Sequence, residues 1–183
     1  MDKKIFNKKD LFTIPNIIGY VRILLIPVFC CLYVKGYYAW AVFTVLFSSF
    51  TDLFDGMIAR KFNQVTELGK VLDPVADKLT HLALALVLAF RYPVMWALLV
   101  LMVIKEGYMA IMGLKHLGAN KLDGAMWYGK VCTATLFAGL FLLFCFYSMP
   151  LWLANTMIIV MMVVMEYTFI RYIMFYRDMD KRE

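Results

Sequence analysis

The chain is poor in charge. Only 17% of its 183 residues are Asp, Glu, Lys or Arg, whereas the set AVILMFWYC supplies 63%, and the mean hydropathy is +0.74. Soluble domains carry about 25% charged residues. A chain this apolar has too little polar surface to cover a water-facing globule, which speaks against a soluble enzyme, a disordered chain and a nucleic-acid-binding module. Soft metal ligands are also scarce. Cys30, Cys31, Cys132 and Cys145 lie in apolar stretches without C-x-x-C spacing, and His81 and His116 are far apart. Neither a zinc centre nor a redox motif is indicated, and the cysteines read as small apolar residues of membrane helices. After the opening MDKKIFNKKD there is no short apolar core ending in a small-residue cleavage site, so no removable signal peptide is read. The four lysines of that opening suggest a short interfacial segment on anionic headgroups. Internal repeats and low-complexity tracts are absent, and the length suits one domain, 1–183.

What the chain does have is long apolar runs. About 20 mainly apolar residues cross about 30 Å of hydrocarbon, and six such stretches are present, roughly 13–34, 37–59, 69–90, 92–114, 130–147 and 150–174. Gly36, Arg91-Tyr92-Pro93 and Ser148-Met149-Pro150 break them on one side, and the polar loops 60–68 and 115–129 on the other. The expected architecture is therefore all-α, a polytopic membrane protein with six transmembrane helices. Fourteen Lys and Arg fall on the side of the termini and two, Lys35 and Arg91, on the opposite side; Arg22, Lys78 and Lys105 fall within spans. That asymmetry predicts that both termini are cytoplasmic, and it accounts for the net charge of +6 without nucleic acid. Trp40, Trp96, Trp127 and Trp152 sit near span ends, where an aromatic belt belongs. The Met-rich run 157–165 reads as lipid-facing or interhelical filler.

Ionisable residues in membrane spans are costly and usually functional, and here they are clustered. TDLFDGMIARKF ends the second span and ELGKVLDPVADKLT begins the third. On a helix, Asp55, Gly56, Ala59 and Arg60 follow Asp52 at offsets 3, 4, 7 and 8 and share its face; Asp73 and Asp77 follow Gly69 at 4 and 8. A short link makes the helices antiparallel neighbours, so four carboxylates converge at one mouth of the pair. Like charges so close repel: either some are protonated or cations sit among them. Two divalent ions balance four carboxylates, and hard oxygen donors favour Mg²⁺, Mn²⁺ or Ca²⁺ over zinc. Two-metal sites commonly serve displacement at phosphorus. The small Gly56 and Ala59 permit close approach of a ligand to the backbone, with Arg60 placed to hold an anionic group. The plainer reading, that the acids cap helices or pair with Arg60, Lys70 and Lys78, suits one or two of them but not four on two matching faces.

The pattern is D-x2-D-G-x2-A-R-x8-G-x3-D-x3-D, and it resembles the signature of the CDP-alcohol phosphotransferase (CDP-alcohol phosphatidyltransferase) family with all eight positions filled. With each residue type at ~5–6%, eight matches arise by chance on the order of 10⁻¹⁰ per start point. TIPNIIGYVRILLIPVF, LDPVADK and YGKVCTA are similar to segments of bacterial phosphatidylglycerophosphate synthases and related cardiolipin synthases. The resemblance implies a six-helix enzyme of the cell membrane, usually a homodimer, with its active site open to the cytoplasm. Such an enzyme transfers a substituted phosphate from CDP-diacylglycerol to an alcohol and releases CMP. It further implies Asp52, Asp55 and Asp73 as ligands of two divalent cations, Mg²⁺ or Mn²⁺. For Asp77 the implied role is metal ligand, general base or both, and Asp52, Gly56, Ala59, Arg60 and Gly69 are implied as the CDP-binding surface.

The acceptor is less specified. Phosphatidylglycerophosphate synthases often carry Arg-Glu in the fourth span, where this chain has Lys105-Glu106. Lysine keeps the positive charge but not the bidentate fork. Lys105, Lys130, Arg22 and Arg171 are candidate acceptor-binding residues, with pairing to an acid as the alternative for Lys105 and a plain boundary position for Lys130. The last span reads MEYTFIRY where the synthases often place Ser-Gly before the tyrosine. Glycerol 3-phosphate is the first expectation, and phosphatidylglycerol, which would make the protein a cardiolipin synthase, is the second; inositol phosphate and serine stay open. A reading from another class, a small cation transporter, expects polar residues along the depth of several helices. The acids instead cluster at one end, beside Gly, Ala and Arg.

Overall fold

The computed structural model describes residues 13–61, 67–115 and 126–181. Regular structure among them is helical throughout: α1 (Ile14–Val34), α2 (Tyr38–Lys61), α3 (Glu67–Ala89), α4 (Met95–Lys115), α5 (Trp127–Cys145) and α6 (Leu151–Asp180). Each expected apolar stretch becomes one helix. The N-terminal basic segment and the middle of both polar loops lie outside the described residues. Boundaries drift where hydropathy alone had set them: α5 begins at Trp127 rather than 130, and α6 continues to Asp180 rather than 174. A helix needs only its backbone ladder and a face to bury, and Tyr172 and Tyr176 carry the buried face of α6 past the apolar run.

Among the described residues, four helices (α1, α4, α5 and α6) are long and apolar enough to cross a bilayer, and Tyr38–Thr51 of α2 is a shorter apolar stretch. The four tryptophans all lie within the first three residues of a helix and are exposed, as belt residues at a membrane interface would be.

The described residues fall into two compact units, Met1–Val87 and Leu88–Glu183. In the first, α1 packs along α2. Pro15 sits in the first turn of α1, where the missing N–H costs nothing. The helix ends at Gly36, whose φ of +84° is open to glycine at little cost. Gly36 N–H donates to the Tyr33 carbonyl and Tyr37 N–H to the Leu32 carbonyl, a Schellman pair that satisfies the last carbonyls and turns the chain into α2. Tyr33 and Tyr38 close the corner edge to face at 5.0 Å. On α2 the buried stripe is Ala41, Val45 and Ser48, and counting on by four and three reaches positions 52, 55 and 59 of the same helix. On α1, Asn16, Gly19 and Arg22 are buried three residues apart. A Cβ at Gly19 would stand 2.5 Å from Leu72 Cδ2, so the bare glycine lets α1 and α3 approach closely.

In the second unit, α6 packs against both α4 and α5. Its buried stripe, Ala154, Ile158, Met161, Met165, Thr168, Tyr172 and Tyr176, advances by fours and threes. Met161 and Met165 thus serve as interhelical filler. In lipid, helix association rests on close van der Waals packing and small residues rather than on expulsion of water. Gly139 of α5 meets the Met161 sulfur, and Gly129 meets the Tyr172 hydroxyl; a Cβ at either would collide. At the opposite end Arg91 lies 3.7 Å over the Tyr147 ring, joining the turns before α4 and α6 by a cation–π contact.

Candidate active site

The acidic cluster is built on the end of α2 and the start of α3. The backbone of 52–60 is helical, as its spacing predicts; the side chains of Asp52, Asp55, Gly56, Ala59 and Arg60 lie outside those described. On α3, Gly69 is buried, Asp73 and Asp77 are partly exposed one turn apart, and Pro74 stands between them inside the helix. Proline has no N–H, so the Lys70 carbonyl loses its helical donor at this point.

Asp77 Oδ1 accepts a hydrogen bond from Nη2 of Arg22 on α1 at 2.5 Å. The two residues are 55 positions apart in sequence. Arg22 is 4% exposed, and Asp73 also lies within the electrostatic reach of both Arg22 and Asp77. A charge-assisted contact of this kind is short and strong. It places Arg22, an acceptor candidate by sequence, on a signature acid.

Hard carboxylate oxygens one turn apart fit a hard divalent cation better than a soft one. Asp73 and Asp77 are the described half of the expected ligand set; among the described residues no three His, Cys, Asp or Glu side chains gather.

The other three candidates belong to the second unit. Lys105 on α4 is buried and donates from Nζ to Glu106 Oε1 at 2.8 Å. Lys130 is exposed in the first turn of α5. Arg171 on α6 is exposed, with its guanidinium 5.5 Å from the Tyr128 ring centre. Around Lys105 the bundle is polar in a way the sequence reading passed over. Cys132, read there as apolar filler, is fully buried and lies close to both Lys105 and Thr168. Tyr128, Tyr172 and Tyr176 form a buried cluster with Tyr108 against it, Tyr128 and Tyr172 meeting edge to face at 4.9 Å. The sequence signal was present: Thr168, Tyr172 and Tyr176 recur every four residues, so one helical face carries three hydroxyls.

Residues 12–174 match the family model described as CDP-alcohol phosphatidyltransferase. The chain belongs to the CDP-alcohol phosphatidyltransferase family. It is 36% identical over 131 residues to a CDP-diacylglycerol–glycerol-3-phosphate 3-phosphatidyltransferase of Salmonella paratyphi A, covering 67% of this chain and 71% of that protein. It is 29% identical over 133 residues to a cardiolipin synthase (CMP-forming) of Streptomyces coelicolor, covering 69% of this chain and 62% of that one. Over 84 residues it is 42% identical to a cardiolipin synthase (CMP-forming) / mitochondrial hydrolase fusion protein of Schizosaccharomyces pombe, covering 46% of this chain and 14% of that protein. The chain thus spans less than two thirds of the length of the latter two. The family match runs through both compact units, taking in the signature helices α2 and α3 and the polar face of α4, α5 and α6.

Proposed function

We propose that this chain is a CDP-diacylglycerol-dependent phosphatidyltransferase of phospholipid biosynthesis that uses glycerol 3-phosphate as acceptor and releases CMP. The observation that carries the reading is the complete eight-position signature, laid on two consecutive helices of a chain that belongs to this family. The one-sided Lys/Arg distribution supports six crossings of the cell membrane by a single domain over 1–183, with both termini and the acidic cluster on the cytoplasmic side. A homodimer is part of the proposal.

In this reading the acceptor hydroxyl oxygen bonds to the phosphorus that carries diacylglycerol, and the bond from that phosphorus to the CMP oxygen breaks. Asp77 takes the hydroxyl proton; a carboxylate within hydrogen-bond reach of an attacking alcohol is worth about 10²–10⁴-fold in rate. Gly56, Ala59 and Gly69 leave the helix backbones open to the nucleotide, and Asp52 and Arg60 hold its polar groups. Asp52, Asp55, Asp73 and Asp77 would hold two divalent cations, Mg²⁺ or Mn²⁺, which when bound offset the charge of the pyrophosphate and of the departing CMP. Lys105, with Lys130 and Arg171, supplies positive charge for the acceptor phosphate.

A second acceptor, phosphatidylglycerol, is favoured by two observations: relatives named cardiolipin synthase and MEYTFIRY in place of a Ser-Gly pair. The deciding experiment measures CMP release from CDP-diacylglycerol by the purified chain in detergent, with Mg²⁺ or Mn²⁺ and one acceptor at a time. Release with glycerol 3-phosphate supports the first acceptor and release with phosphatidylglycerol alone the second. No release with any alcohol, together with cation flux in liposomes, would make the transporter the better reading.

A further inference from the structure

We infer that Arg22 is a positioning residue for Asp77: reaching across from α1, it fixes where the Asp77 carboxylate stands on α3. The inference rests on the reading of Asp77 as the group that takes the acceptor proton. The contact is one-sided in a useful way. Arg22 Nη2 engages Oδ1 at 2.5 Å, while the Asp77 side chain stays 48% exposed. The carboxylate is thus anchored through one oxygen and open to a reactant through the rest of its surface.

The anchor sits where α1 comes close to α3. Gly19 lies three residues before Arg22 on the same buried stripe, and its closeness to Leu72 sets the approach of α1 to α3 five residues ahead of Asp77. Arginine suits this task better than lysine, because its planar fork presents donors at fixed angles. At 4% exposure the Arg22 side chain is covered by the protein. It is therefore better disposed to act on its neighbour than to receive a soluble acceptor. Placement matters because an error of about 1 Å at a reacting group costs on the order of 100-fold in rate.

The test uses Arg22→Met, Arg22→Lys and Asp77→Asn in the full-length chain, assayed for CMP release, for CDP-diacylglycerol binding and for thermal midpoint. Arg22→Met is expected to lower kcat on the order of 100-fold while both KM values stay within about twofold. Donor binding should be retained, and Arg22→Lys should recover part of kcat. In the Arg22→Met, Asp77→Asn double variant the thermal shifts should be non-additive, as for residues in contact. If Arg22→Met does not fold, the kcat and KM of Arg22→Lys carry the test. A raised acceptor KM at undiminished kcat would make Arg22 a substrate ligand and overturn the inference, as would strictly additive thermal shifts. An inactive Asp77→Asn beside a fully active Arg22→Met overturns the inference alone. A fully active Asp77→Asn removes the reading of Asp77 and the inference with it.

Discussion

Breaking the Arg22–Asp77 contact from its two ends should have unequal effects on the fold. The Arg22 side chain is 5% exposed and the Asp77 side chain 48%. After Arg22→Met, the carboxylate can turn to water, and methionine refills the apolar volume of the arginine stem. The expected cost is that of an exposed pair, about 0–1 kcal/mol. After Asp77→Ala, a covered guanidinium loses a hydrogen-bonded anion and cannot follow it into solvent. Loss of one partner from a fully buried pair costs about 3–5 kcal/mol. The half-exposure of Asp77 and the proximity of Asp73 to Arg22 lower that to about 2–3 kcal/mol by the same reasoning. For a chain of this length the difference amounts to several degrees of thermal midpoint. Asp77→Asn should fall between the two, since its amide oxygen still accepts the hydrogen bond without bringing charge. Thermal unfolding of the three variants in one detergent, followed by tryptophan fluorescence, reads the order directly. An Arg22→Met midpoint at or below that of Asp77→Ala would refute the argument.

Three other outcomes are expected. Lys105→Ala should raise the KM for a phosphorylated acceptor about 10-fold or more, the worth of one hydrogen bond to a charged group, and leave the KM for CDP-diacylglycerol in place; equal changes in both would defeat the acceptor role. Chelation with EDTA should abolish CMP release and added Mg²⁺ or Mn²⁺ should restore it, whereas an undiminished rate in chelator would remove the cations from the proposal. Gly139→Leu should destabilise the protein by about 1–3 kcal/mol through overpacking, because any Cβ there meets Met161. Gly113→Leu, where nothing lies within 4 Å, serves as the neutral control, and equal losses at the two sites would show that α5–α6 packing is not the cause.

How the candidate site was legible follows from the physics of each part. Helix positions could be read from runs of apolar residues, because a bilayer permits few alternatives to a helix of about 20 residues. The grouping of Asp52 with Asp55, and of Asp73 with Asp77, followed from helical spacing alone. Helix ends were less legible: α6 passes 174 to reach Asp180 because a buried tyrosine face sustains a helix as well as an aliphatic one does. The polar face around Lys105 was missed for a related reason. Cys132, Thr168 and Tyr172 look individually like apolar filler, and only packing of α5 and α6 makes them neighbours.

The amino-acid sequence by itself determined the helical class, the breaks at Gly36, Pro93 and Pro150, the family and the acidic signature, since all of these depend on residues near one another along the chain. Only the tertiary structure decided that Arg22, 55 residues from Asp77, is its partner, and that Lys105 turns to Glu106 within a bundle of hydroxyls. Spacing along a helix says which residues share a face. Which face meets which depends on how closely two backbones can approach, and here that is decided by the absent side chains of Gly19 and Gly139.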